Sequence, residues 1–220
     1  MSERAGIDAR GERSGRRSSG RSSGRPARRP DPGRRDHIID ACLDVIAADG
    51  VAGTSHRRVA AAADVPLGSM TYHFDGMDDL LRAAFTRFSV TVATRFQQRM
   101  DAATTPAQAR RAVVDLIVRD VFADRRDLVL TLELYTLAAR RPDFRQLTDA
   151  WMSRSRAALG RHFTPETTRR LDALIEGLTI HRALGAGPDE ASVVAAVARL
   201  TGEDGPDAPG PTGGAVPARR

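Results

Sequence analysis

The chain of 220 residues contains no lysine, so all 34 of its basic residues are arginines. Its single cysteine, Cys42, excludes an intrachain disulfide and a cysteine-rich metal centre. Aromatic residues make up only 5% of the chain, which together with 12 prolines disfavours a β-sandwich. No stretch approaches the roughly 20 apolar residues of a membrane-spanning helix, and the amino terminus lacks the apolar segment of a secretory signal. We therefore expect a cytoplasmic protein with no membrane partner.

The sequence also lacks the motifs that are typical of enzymes. Its five histidines are scattered, and none belongs to an HExxH motif or to a close cluster with cysteine or carboxylates. A GxSxG nucleophile motif and a phosphate-binding glycine loop are both missing. We expect no catalytic residues, no metal site and no cofactor.

Positive charge is concentrated at the amino end of the chain. Residues 1–35 hold 11 arginines against four acidic residues, a net charge of +7, whereas the whole chain carries +6. Residues 1–33 and 202–220 have few apolar side chains and are rich in glycine, proline, serine or arginine, a composition typical of disorder. We interpret residues 1–33 as an arm that binds a polyanion, with a merely solvated tail as the alternative.

The intervening sequence predicts an all-α fold of about nine helices. Leu81, Phe85, Phe88, Val92 and Phe96, for example, recur at intervals of three or four residues, as on one face of a helix. The predicted helices cover approximately residues 34–49, 54–63, 66–74, 77–100, 106–123, 128–139, 142–162, 165–184 and 189–200.

Residues 54–74 have the spacing of two short helices joined by a tight turn. Thr54 is the expected N-cap of the first of these helices. Asp64 occupies the turn position at which glycine is common, and aspartate is one of the few other residues that tolerate a left-handed backbone. Met70 and Phe74 are expected to pack inward, which leaves the polar residues of the second helix on the surface.

This pattern resembles the DNA-binding domain of TetR-family transcriptional regulators over residues 34–81. The residues that carry the resemblance are Thr54, Ala63-Asp64-Val65-Pro66, Gly68-Ser69-Met70-Thr71-Tyr72-His73-Phe74 and Asp78-Asp79-Leu80. The chain departs from the family pattern at Thr71, where tyrosine is common, and at Met77, where a phosphate-contacting lysine is common. The arginine-rich arm could replace the lost phosphate contacts, since these need not come from fixed positions.

The resemblance implies a homodimer that binds double-stranded DNA. It divides the chain into a helix-turn-helix domain at residues 34–76 and a helical effector-binding and dimerisation domain at residues 77–201. The residues expected to contact DNA are Thr54, Ser55, Arg57, Arg58, Pro66, Leu67, Gly68, Ser69, Thr71, Tyr72 and His73. Packing is the alternative for Tyr72 and His73, and simple solvation is the alternative for the two arginines.

The resemblance further implies an effector cavity among helices four to seven and a dimer interface on the last two helices. The expected cavity residues are Phe88, Phe122, Leu132, Glu133, Tyr135, Trp151, Met152 and His181, with core packing as the alternative for each. Arg140 and His162 are further candidate polar anchors of this cavity. The expected interface residues are Leu171, Leu174, Ile175, Leu178, Val193, Val194 and Val197, with packing in the core of their own protomer as the alternative. The mostly apolar cavity residues favour a small, largely hydrophobic effector.

The function expected from the resemblance is repression of transcription at a palindromic operator, relieved by that effector. Two recognition helices about 34–36 Å apart would read successive major grooves. A helical protein that coats or bridges DNA with little sequence specificity is the alternative, because the arm could dominate binding.

Overall fold

The structure is a computed structural model that describes residues 33–120 and 125–202. All regular elements within these ranges are helical, which confirms the predicted all-α fold. The described residues form nine α-helices, which are α1 (Arg34–Asp49), α2 (His56–Ala62), α3 (Gly68–His73), α4 (Gly76–Asp101), α5 (Pro106–Asp115), α6 (Arg125–Arg140), α7 (Pro142–Leu159), α8 (Pro165–Ala183) and α9 (Glu190–Thr201). A π-helical segment, Leu116–Asp120, continues α5. Residues 1–32 and 203–220, as well as Phe122, lie outside the described residues.

Side-chain caps fix the starts of several helices. Thr105, Thr164 and Asp189 each accept a hydrogen bond from the backbone N–H three residues later, at the starts of α5, α8 and α9. The expected cap of α2 at Thr54 is wrong, because Ser55 takes that role by accepting from the N–H of Arg58. The hydroxyl of Thr54 instead donates to the carbonyl of Gly50, the residue after α1, at 2.8 Å.

The buried residues form two apolar clusters. The first joins α1, α2 and α3 to the beginning of α4 and to parts of α6 and α7, and it contains Cys42, which is fully buried. Burial raises the pKa of the Cys42 thiol to about 12, so this cysteine is a packed apolar residue. The second cluster joins the end of α4 to α5, α8, α9 and the end of α7. Helices α4 and α7 therefore run through both clusters.

Candidate DNA-binding surface and ligand cavity

The turn between α2 and α3 has the backbone conformation that its sequence predicts. Asp64 adopts φ +48° and is the one described non-glycine residue with positive φ, which confirms the expected left-handed turn. The N–H of Val65 donates to the carbonyl of Ala60 at 3.0 Å and closes the corner. The ring Nε2 of His37 lies 3.1 Å from the carbonyl oxygen of Ala63, which ties α1 to the end of α2. These contacts hold α3 at a fixed angle to α2.

Helix α3 buries one face and exposes the other. Met70 is fully buried and Phe74 is nearly so, as the sequence predicts. Tyr72 is 83% exposed and Leu67 is 54% exposed, so both side chains offer most or about half of their surface to solvent. The helix begins at Gly68 rather than at the expected Pro66, because the N–H of Ser69 closes a turn onto the Pro66 carbonyl at 2.8 Å. An exposed tyrosine and leucine next to short polar residues form a surface that can contact another molecule.

The polar residues of this surface differ in whether they already form hydrogen bonds or ion pairs within the protomer. Arg57 is exposed and has no hydrogen bond or ion pair to any residue that the structure describes. Arg58 pairs with Asp49 at 2.8 Å and donates to the carbonyl of Gly53 at 3.1 Å. Thr71 donates its hydroxyl to the carbonyl of Gly68. Arg57 is therefore the cation of α2 that is most available to a phosphate.

An arginine that the sequence analysis did not single out connects α1 with α3. The guanidinium carbon of Arg35 lies 5.1 Å from the centre of the Phe74 ring, at the end of α3. His73 is half-buried beside it, and the Tyr72 ring packs edge-on against the His73 ring at 4.8 Å. The amino end of α1, to which the arginine-rich arm is attached, thus lies next to α3.

A cavity of about 250 Å³ lies where the two apolar clusters meet. Helices α4, α6, α7 and α8 and the π-helical segment contribute its walls. The lining residues are Phe88, Val92, Arg95, Phe96, Arg99, Leu116, Asp127, Thr131, Tyr135, Trp151, Met152, Ser155, Asp172, Ile175, Glu176, Thr179 and Ile180. A cavity of mixed apolar and polar lining between the helices of a bundle is typical of a small-molecule site.

The structure brings some of the expected cavity residues together and places others elsewhere. Phe88, Tyr135, Trp151 and Met152 all line the cavity. Three other residues expected in the cavity lie elsewhere, because the rotation of each helix turns the side chain away from the lining. Leu132 is exposed on the outer face of α6, Glu133 points to the end of α1, and His181 is exposed near the end of α8.

The polar anchors proposed beside these residues also lie outside the lining. His162 is bonded through its ring Nε2 to the carbonyl of Met100 at 2.9 Å, and Arg140 is exposed at the end of α6. The charged side chains of the lining are instead Arg95, Arg99, Asp127, Asp172 and Glu176, none of which the sequence analysis identified.

An aromatic group forms one wall of the cavity. The Trp151 ring packs edge-on against Phe88 at 5.9 Å and lies tilted to Tyr135 at 6.2 Å. The pKa of Tyr135 is raised first by burial of its hydroxyl, then by the negative charge of Glu176 and the hydrogen bond to that carboxylate, and last by the charge of Asp172. The phenol therefore stays protonated and donates its hydrogen bond to Glu176 inside the cavity.

Two further features of the described residues concern membrane-spanning helices and metal sites. None of the helices described here is long and apolar enough to span a membrane. Within the same residues, no group of three or more histidine, cysteine or acidic side chains is placed to hold a metal ion.

Two family models match the chain and cover both of its helical regions. The first, "Bacterial regulatory proteins, tetR family", matches residues 38–84, and the second, "Tetracyclin repressor-like, C-terminal domain", matches residues 104–203. The chain belongs to the TetR family. It is accordingly a DNA-binding transcriptional regulator of the helix-turn-helix type and not an enzyme.

Solved and curated relatives support this assignment. The protein SCO7518 from Streptomyces coelicolor A3(2) is 54% identical, with a TM-score of 0.73 over 77% of this chain and 99% of its own. The multidrug binding protein EbrR, solved with ethidium, is 36% identical, with a TM-score of 0.66 over 77% of this chain and 99% of its own. The transcriptional regulator BetI 1 from Chromohalobacter salexigens is 26% identical, over 70% of this chain and 80% of its own.

The expected dimer residues of this TetR-family protein fall into two groups. Leu171, Val193 and Val197 are buried in the core of their own protomer, so in this conformation they have no surface to offer a partner, and their assignment to the interface needs correction. Ile175 lines the cavity. The remaining residues, Leu174, Leu178 and Val194, keep part of their surface exposed on α8 and α9.

Proposed function

We propose that this TetR-family regulator is a repressor. It acts in the cytoplasm as a homodimer on a palindromic operator and is released when a small molecule occupies the cavity between α4, α6, α7 and α8. The observation that carries the proposal is that α4 and α6 each contact both the DNA-binding domain and the cavity. Both helices pack against the α1 side of the DNA-binding domain, and both also line the cavity.

The DNA-binding half of the proposal is supported by the surface of α3. Tyr72 and Leu67 expose large side chains, and Arg57 on α2 has no ion-pair partner among the described residues. A Cβ added to Gly68 would meet no atom within 4 Å, so this glycine is not required for internal packing. Because it has no side chain, the α3 backbone can approach a DNA strand closely at this position.

The proposed role of the ligand is supported by contacts of α6 that connect the cavity with α1. Helix α6 presents Thr131 and Tyr135 to the cavity, while Glu133 on its other face bonds the segment that follows α1. A ligand that changes the position of α6 would therefore change the position of α1. Release follows if the ligand binds the altered conformation more tightly than the DNA-bound one. EbrR has been solved with imidazole, ethidium, proflavin and malachite green, which supports a cavity that accepts small organic molecules.

The homodimer is supported by a stripe of small and apolar residues along α8. Ala173, Leu174, Gly177 and Leu178 lie at helical spacing on a face that the protomer leaves partly exposed. A Cβ at Gly177 would meet nothing within 4 Å in the protomer, so a partner helix can approach closely there.

The DNA-binding proposal is tested by selecting bound duplexes from a random pool with the full chain at moderate salt. We expect enrichment of an inverted repeat. Gly68→Ala should raise the free energy of unfolding by about 0.5–1 kcal/mol, because alanine favours the helix. The same change should weaken operator binding, because the added methyl group keeps the backbone from the DNA. Weaker binding by a more stable protein cannot be attributed to unfolding.

Two results would contradict the operator proposal. One is salt-sensitive binding with no enriched sequence, which would favour the DNA-coating function instead. The other is operator affinity that stays unchanged in both Gly68→Ala and Tyr72→Ala.

The dimer is tested with Gly177→Arg, since the protomer has room for the new side chain and a close partner helix does not. We expect light scattering to show the mass of a dimer for the unchanged protein and the mass of a monomer for the variant. A dimer that persists in Gly177→Arg would place the interface elsewhere.

A further inference from the structure

Glu176 differs from the other carboxylates of the cavity in its charge partners. Asp127 is paired with Arg95 at 3.0 Å, and Asp172 is paired with Arg156 at 2.7 Å. No ion pair joins Glu176 to an arginine or a histidine within the part of the chain that the structure describes. Its charge faces the cavity without a cation to balance it, which is costly for a half-buried carboxylate.

The surroundings of Glu176 fit a flat organic group next to a positive charge. The protonated phenol of Tyr135 donates a hydrogen bond to the Glu176 carboxylate, but a neutral donor leaves the negative charge unbalanced. In the same lining the Trp151 ring lies tilted to the Tyr135 ring and edge-on to the Phe88 ring, with centres 6.2 and 5.9 Å apart. Aromatic faces attract cations as well as apolar rings, so the wall and the carboxylate favour the same kind of molecule.

The other charged groups of the cavity do not compete for this role. The guanidinium of Arg95 is held by Asp127, and Arg99 also has an interaction partner. An anionic ligand would have to displace Asp127 from Arg95 while remaining close to Glu176 and Asp172. A cation needs no such rearrangement, because it meets a carboxylate that has no ion-pair partner among the described residues.

We propose that the cavity binds an aromatic organic monocation, with Glu176 as its counter-ion and the ring of Trp151 as its stacking partner. This inference rests on the proposed role of the cavity as the effector site, and it replaces the largely hydrophobic effector expected from the sequence with a charged one. The cavity volume of about 250 Å³ limits the ligand to a few fused or linked rings.

Two probes with nearly the same shape, one charged and one neutral, show whether binding depends on the charge of the ligand. N-methylacridinium is a permanent cation, and acridine is the same ring system without charge at mildly alkaline pH. We expect the full chain to bind the cation at least about tenfold more tightly in calorimetry. Trp151 is the sole tryptophan of the chain, so its fluorescence should be quenched by a ligand that occupies this cavity.

Two variants test the role of Glu176. Glu176→Gln should reduce the preference for the cation to less than about threefold while leaving acridine affinity almost unchanged, because the amide keeps the shape and removes the charge. Glu166→Gln removes the same charge from an exposed position on the same helix, outside the cavity lining, and should leave the preference intact.

Equal affinity of the unchanged protein for the two probes would overturn the inference, as would a preference that survives in Glu176→Gln or binding that leaves Trp151 fluorescence unchanged. These measurements use the protein without DNA, because acridinium dyes bind DNA themselves. Operator release is then measured separately. Charge-selective binding without operator release would uphold the cation site and contradict the regulatory proposal, whereas operator release by uncharged molecules alone would contradict the cation site.

Discussion

The carboxylate of Glu133 on α6 accepts a hydrogen bond from the backbone N–H of Val51, just after α1, at 3.2 Å. This contact joins residues 82 positions apart in the chain and connects a cavity-lining helix to the DNA-binding domain. It also satisfies a backbone donor near the end of α1 that would otherwise lack an acceptor. Glu133 therefore belongs to the link between the two regions and not to the cavity.

Removing this acceptor should destabilise the protein. Glu133→Ala leaves the partly buried N–H of Val51 without its partner, and we expect the free energy of unfolding in urea to fall by about 1–2 kcal/mol. Glu133→Gln is the matched variant, because its amide oxygen can still accept the bond, and it should lose less than half as much. Equal losses in the two variants would show that the contact contributes through its charge rather than through the hydrogen bond.

Gly50 lies close to the side chain of the same glutamate. Its φ of +69° and ψ of 172° lie in a region that only glycine readily adopts, and a Cβ at this position would lie 2.7 Å from Oε1 of Glu133. We expect Gly50→Ala to cost about 2–3 kcal/mol in urea unfolding. The double variant Gly50→Ala/Glu133→Ala should lose less than the sum of the two single variants, because removing the carboxylate relieves the overlap but not the backbone strain. Strictly additive losses would contradict the predicted overlap.

The fold could be predicted largely because its signals are local. Apolar residues repeat at helical spacing, and Pro106, Pro142 and Pro165 each begin a helix as the sequence indicates. Asp64 could be placed in a left-handed turn because few residues tolerate that conformation. The cap of α2 is ambiguous in the sequence because Thr54 and Ser55 are both good caps, and the choice depends on the local turn after α1, in which the Thr54 hydroxyl donates to the Gly50 carbonyl.

The cavity was harder to predict because its residues come together only through long-range packing. The aromatic residues could be identified because few candidates exist in the chain. Glu176 could not be distinguished from a solvated glutamate, since its orientation depends on the rotation of α8 against α6 and α7. For the same reason Leu171 was assigned to a dimer interface although it fills the protomer core.

Asp64 offers a test of the turn that sets the angle of α3. Asp64→Gly should be neutral or stabilising by up to about 1 kcal/mol, because glycine adopts the positive φ without strain but has a more flexible unfolded state. Asp64→Val should cost about 1–2 kcal/mol, because a β-branched side chain is strained in this conformation. Thermal unfolding measures both changes. Since the side chain of Asp64 is exposed, a valine variant as stable as the glycine variant would contradict the left-handed conformation of this turn.

Asp78 at the start of α4 gives the protein a specific dependence on pH. Both of its carboxylate oxygens accept hydrogen bonds from the guanidinium of Arg141, at 2.8 and 3.0 Å. These bonds, together with the positive charges of Arg141 and Arg82, hold the pKa of Asp78 below its ordinary value despite partial desolvation. Because the folded state favours the ionised form, the pair stabilises the fold above the ordinary aspartate pKa of about 4. This stabilisation is lost as the pH falls through the lower pKa of the folded state.

We therefore expect Asp78→Asn to be less stable than the unchanged protein at neutral pH, with a difference that shrinks as the pH falls below about 4. The effect should be small and salt-sensitive, because the pair is largely exposed to solvent. Asp149→Asn is the control, since Asp149 is exposed on α7 and has no ion pair among the described residues. Urea unfolding across this pH range measures both variants. A stability difference for Asp78→Asn that stays constant down to the most acidic pH would show that the ionised pair is not its cause.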